Sequence, residues 1–90
     1  MERIQLIVHG VVQAVGFRYH TCQEALQLGV TGYVKNLPDG TVEIVAEGSP
    51  DALRALSGWA KQGPPAAQVR HIEIAKAEAT GEFNSFAIAY

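Results

Sequence analysis

Five residues near the middle of the chain, Asn36-Leu37-Pro38-Asp39-Gly40, restrict its fold more than any other stretch. Proline fixes φ and Asp-Gly supports a tight reversal, so this segment turns the chain back on itself. β-Prone runs flank it, Val30 to Lys35 before and Thr41 to Glu47 after. In the second run Val42, Ile44 and Ala46 alternate with Thr41, Glu43 and Glu47, the period of a strand with one covered face. A hairpin is expected here, and the other elements must pack around it.

Both sides of that hairpin have helical character. Upstream, from Tyr19 to Leu28, Thr21, Ala25 and Leu28 form one stripe with Cys22 and Leu26 beside it, and Gly29 supplies a stop. Downstream, Ser49 is a good N-cap, Pro50 suits the first helical position and Asp51 complements the helix dipole. Leu53, Leu56, Trp59 and Ala60 then recur at helical spacing until Gly63-Pro64-Pro65 ends the segment. Arg3 to Val12 reads as a strand, with Ile4, Leu6 and Val8 alternating against Gln5 and His9. Gln68 to Lys76 reads as another with a defect, because Val69 and the Ile72/Ile74 pair fall on opposite faces. A bulge near Arg70-His71 would restore one apolar face. Phe86, Ile88 and Tyr90 alternate in a short last strand.

The order β-α-β-β-α-β, plus a terminal strand, predicts an α+β ferredoxin-like sandwich. Two helices cover one face of a mixed, mainly antiparallel sheet of four to five strands. Ninety residues suit one domain over 1–90, exposing roughly 5,100 Å² when folded.

Charge and composition then remove several function classes. Seven basic and nine acidic side chains are interspersed, for a net charge of −2. With no basic stripe and no aromatic block on the strand faces, a nucleic-acid partner is not expected. Cys22 is alone and forms no internal disulfide, which suits a reducing cytosol. No apolar run approaches the ~20 residues that span a bilayer. Met1-Glu2-Arg3 leads into a strand pattern rather than a secretory signal. The expectation is a cytoplasmic monomer without membrane attachment. His9, His20 and His71 lack metal-ligand spacing and no Cys-x-x-Cys or carboxylate cluster joins them, so no metal or other cofactor is expected.

This scaffold serves many functions, so the chemistry must be sought in particular residues. The passage from His9 to His20 runs strand, short loop, helix, with Gly16 in the loop and Arg18 at the helix start. Such a loop presents unpaired amides in one concave turn, and the helix dipole adds to their preference for an anion. Arg18 adds a guanidinium fork matched to phosphate oxygens. No Gly-Lys-Ser/Thr follows, so this is not a Walker A loop. The bland alternative is a turn glycine and a solvated arginine. Asn36 closes the second strand before the turn, where asparagine often serves local geometry alone. In this topology, however, that strand runs back past the start of the first helix, so Asn36 can approach Arg18. An amide there can accept from a water while donating to a phosphate oxygen.

Gly10-Val11-Val12-Gln13-Ala14-Val15-Gly16-Phe17-Arg18 resembles the first signature of the acylphosphatase family, and Gly32-Tyr33-Val34-Lys35-Asn36, with Gly40, Val42 and Gly48, resembles the second. The spacing between the two blocks also fits, and the similarity extends through Tyr90. The resemblance implies hydrolysis of acyl phosphates to carboxylate and inorganic phosphate, without a metal and without a phosphoenzyme. It makes Arg18 the phosphate-binding arginine and Asn36 the water-orienting residue. The loop of Gln13, Ala14, Val15, Gly16, Phe17 and Arg18 becomes the phosphate cradle. Ala14 departs from the family pattern, which usually has glycine there. Alanine at φ > 0 costs about 1–2 kcal/mol, whereas at negative φ it would stiffen the loop. The competing reading is a ferredoxin-like anion-binding or regulatory module that shares the loop and lacks turnover.

Overall fold

The turn at the hairpin's tip closes where proline and glycine ask for it. In the computed structural model, which describes residues 1–90, Gly40 sits at φ 93° and its N–H donates to the Leu37 carbonyl. The Thr41 hydroxyl and amide both donate to the Asp39 carboxylate and hold its pKa below the usual carboxylate range. The strands it joins are β2 (Thr31–Asn36) and β3 (Val42–Gly48). Around them the chain adds β1 (Glu2–Val11), α1 (Phe17–Leu28), α2 (Pro50–Gln62), β4 (Gln68–Glu78) and β5 (Phe86–Ala89).

One five-stranded sheet results, in the order β4-β1-β3-β2-β5. Every neighbouring pair is antiparallel except β2 and β5, which run parallel, giving the mixed sheet expected. The defect in β4 is also where the pattern placed it. His9 pairs with His71 and Gly10 with Val69, so Arg70 is the extra residue that switches the apolar face.

Both helices take part in one buried cluster. Ile4, Leu6 and Val8 of β1 and Val42, Ile44 and Ala46 of β3 meet Leu53, Leu56 and Ala60 of α2 and Ala25 of α1. The folded chain exposes 5057 Å², close to the area expected from its size. No helix is long and apolar enough to cross a membrane.

Three details differ from the sequence pattern. Helix α1 begins at Phe17 rather than Tyr19, because Gly16 at φ 79° takes the N-cap position in a conformation that lets the helix start at once. Leu26 faces solvent: the fully buried line of α1 is Phe17, Thr21 and Ala25, and only Cys22 and Leu28 at its edges also pack in part against the core. Glu47 is buried rather than solvent-facing. The segment after β4 folds back over that sheet face and brings Thr80 and Gly81 to its carboxylate.

Candidate active site

The loop between β1 and α1 opens with Val12, whose side chain is anchored in the core. It ends at Phe17, fully buried and packed on Trp59 of α2 with ring centroids 5.6 Å apart. With both ends fixed, the intervening backbone must turn sharply, and it does so through two left-handed residues, Ala14 at φ 60° and Gly16 at φ 79°. The Ala14 question is thereby answered: alanine adopts the strained conformation, at a cost of about 1–2 kcal/mol. None of the amides from Ala14 to Tyr19 finds an acceptor within the protein. Six N–H groups at a helix start, none internally paired, form a partial positive charge awaiting an anion. The Gly16 carbonyl points elsewhere and takes the His20 amide and ring Nδ1, at 3.1 and 2.9 Å.

Arg18 follows in the first turn of α1. It is half-buried and forms no ion pair or hydrogen bond within the chain. Its guanidinium lies over the ring of Tyr90, 5.4 Å from the centroid, a stacking that steadies the side chain without neutralising it. The parallel pairing of β5 with β2, which matches Ala89 to Lys35, sets Tyr90 level with Asn36. Asn36 itself ends β2 opposite Val42 of β3.

These groups enclose a cavity of about 130 Å³. Ala14, Gly16 and Arg18 line one side; Asn36, Ile88 and Tyr90 line the other. That is room for a small anion and a water, whose share of liquid volume is about 30 Å³. Among the buried side-chain polar atoms of the whole molecule, Asn36 Oδ1 alone has no hydrogen-bond partner. Buried acceptors are rarely left in that condition, so an orphan in a cavity wall marks a place for a donor.

The structure thus brings together Arg18, Asn36 and the loop at Ala14, Gly16 and Phe17. Gln13 and Val15 are not in the cavity wall. Gln13 turns its side chain away and donates from Nε2 to the carbonyls of Leu37 and Thr41, at 2.7 and 2.9 Å. Two features escaped the sequence pattern: this grip by Gln13, and the wall built by Ile88 and Tyr90. The alternation of Phe86, Ile88 and Tyr90 signalled a strand but not which strand it would join.

A model of the acylphosphatase family matches residues 4–88. The chain belongs to the acylphosphatase family. It is 53% identical over 79 residues to the acylphosphatase of Thermococcus kodakarensis, covering 88% of this chain and 87% of that one. To the acylphosphatase of Methylococcus capsulatus it is 44% identical over 88 residues, covering 98% and 96%. The crystal structure of acylphosphatase from Bacillus subtilis superposes with a TM-score of 0.96 at 39% identity, each chain covered in full. As an acylphosphatase fold, the α+β sandwich read from the element order is the right one.

Proposed function

We propose that the amides of the loop from Gln13 to Arg18, together with the Arg18 guanidinium, hold the phosphoryl group of an acyl phosphate while Asn36 orients the attacking water. The reaction is the family's: the chain is a hydrolase of acyl phosphates, giving carboxylate and inorganic phosphate. Family membership carries this over a non-catalytic regulatory module. The division of labour among residues is our inference, and the observation that carries it is the unpartnered Asn36 Oδ1 in the wall of the cavity that Arg18 lines.

An acyl phosphate is activated already, because its leaving group is a carboxylate that scarcely needs a proton. The water oxygen attacks phosphorus as the bond from phosphorus to the acyl oxygen breaks, and a phosphate oxygen of the substrate takes the water's proton. The protein must therefore align water and spread the charge on the phosphoryl oxygens. Unpaired amides and an unneutralised guanidinium serve the second need, and an amide oxygen accepting from water serves the first. No step in this scheme calls on a metal ion, so chelators should leave the rate unchanged. We take residues 1–90 to act as one domain, as a monomer and in the cytoplasm, on a small-molecule substrate.

The test is a separation of two effects. Arg18→Ala should lower turnover of an acyl phosphate such as benzoyl phosphate by about 10³–10⁵ and weaken competitive inhibition by inorganic phosphate. Asn36→Ala should lower kcat by about 10²–10³ and leave the phosphate inhibition constant within a few-fold of wild type. Full turnover by Asn36→Ala would end the assignment of the water to that residue.

A further inference from the structure

The two halves of this site follow strands that are not neighbours in the sheet. Arg18 and the loop follow β1, Asn36 ends β2, and β3 lies between those strands in the sheet. Ladder hydrogen bonds fix Asn36 relative to β3, but no ladder pair reaches the loop. One side chain spans the gap. Gln13 uses both hydrogens of its amide nitrogen, one on the carbonyl of Leu37, next in sequence to Asn36, and one on the carbonyl of Thr41 across the hairpin neck.

We propose that Gln13 is a positioning residue, setting the separation between the anion-binding amides and Asn36 so that the oriented water meets the phosphorus in line. Its side chain turns away from the cavity and acts through Asn36. Its carbonyl partners show that holding the hairpin together is not its main task. Leu37 O also accepts from the Gly40 amide, and Thr41 O from the Leu37 amide. Remove Gln13, and each carbonyl keeps a partner and the hairpin stays closed. What is lost is the tie between loop and strand, and misplacement by about 1 Å can cost on the order of 10²-fold in rate.

This inference rests on the reading of Asn36 as the water-orienting residue, and a double-mutant cycle separates the two. Gln13→Leu removes both donors at similar volume; Gln13→Glu puts acceptors against acceptors and serves as a second variant. Each is measured for kcat, KM and phosphate inhibition on benzoyl phosphate, with circular dichroism melting to register folding. The expected result for Gln13→Leu is a fall in kcat of about 10- to 100-fold with KM and phosphate inhibition within about threefold of wild type. In the Asn36→Ala background the same substitution should change kcat by less than about twofold. Additive effects in the double mutant, or weakened phosphate inhibition, would overturn the proposal by showing that Gln13 serves the loop instead. Unchanged kcat in a folded Gln13→Leu would overturn it as well, whereas unchanged kcat in Asn36→Ala would strike the underlying reading first.

Discussion

Two loops at opposite ends of the sheet offer main-chain amides to an anion, and only one of them is supplied with it by the protein. Beyond β4, the amides of Thr80 and Gly81 and the Thr80 hydroxyl all donate to the Glu47 carboxylate, at 2.9 to 3.0 Å. Arg3 lies 3.5 Å from the same group and 2.8 Å from Glu82. Beyond β1, the amides from Ala14 to Tyr19 have no internal acceptor, Arg18 has no carboxylate, and Ala14 holds a strained φ of 60°. The physics of the two loops is the same and the accounts are opposite. A loop whose anion is built in contributes to stability; a loop whose anion is left out keeps that interaction free energy for a ligand. On the proposed reading, function here is an unfilled version of a structural device used elsewhere in the same chain.

The widest gap between the two loops should appear in Arg18→Ala. Its large loss of turnover should come with a melting temperature close to that of wild type, because no ion pair or hydrogen bond is lost, only the stacking on Tyr90. Inorganic phosphate at 100 times its dissociation constant should stabilise wild type by about 2.7 kcal/mol, and that thermal shift should largely vanish in Arg18→Ala. A variant that melted much earlier without ligand would break the contrast. Glu47→Gln should do the reverse, lowering the melting temperature by several degrees with kcat on benzoyl phosphate near wild type.

The same carboxylate gives the contrast a pH signature. The Thr80 amide, then the Gly81 amide and the Thr80 hydroxyl, hold the Glu47 pKa below its ordinary 4.5 in spite of burial. A depressed folded-state pKa contributes stability that is present above the unfolded value and is lost as pH falls through the folded one. Acidifying from neutrality to below about 4.5 should therefore destabilise wild type more than Glu47→Gln, as read by denaturant midpoints across pH. Equal acid sensitivity would mean that the buried carboxylate adds nothing. The smallest expected effect belongs to Ala14→Gly. Relief of about 1–2 kcal/mol of strain is offset by glycine's freer unfolded chain, about 0.4–1 kcal/mol. The net gain should be under about 1.5 kcal/mol by urea unfolding, and a loss of stability would argue against strain in the loop.

What the sequence made legible follows from the range of each interaction. The hairpin, both helices and the bulge at Arg70 rest on local chemistry and on strand or helix period, and a one-dimensional pattern carries both. Arg18 and Asn36 could be named because two motifs stand in fixed register along the chain. Glu47 was misread because strand alternation assigns faces without knowing what will cover them, and its cover comes from residues 33 and 34 positions further on. Gln13 could be placed in the loop, but nothing in a sequence shows which way an amide side chain turns. The conformation of Ala14 was likewise undecidable until Val12 and Phe17 were seen to be buried at either end of the turn.

The order of strands in the sheet has a kinetic consequence. Glu2 lies opposite Glu78, and Gly32 opposite Phe86, so long loops must close before either edge of the sheet is in place. Contacts so distant along the chain slow folding relative to helical bundles of equal size. The pocket draws on the segment after β1, the end of β2 and the final strand at once, so partly folded species should lack it. Recovery of catalysis during refolding should then trace the slowest step of the whole chain and report arrival at the native state rather than collapse.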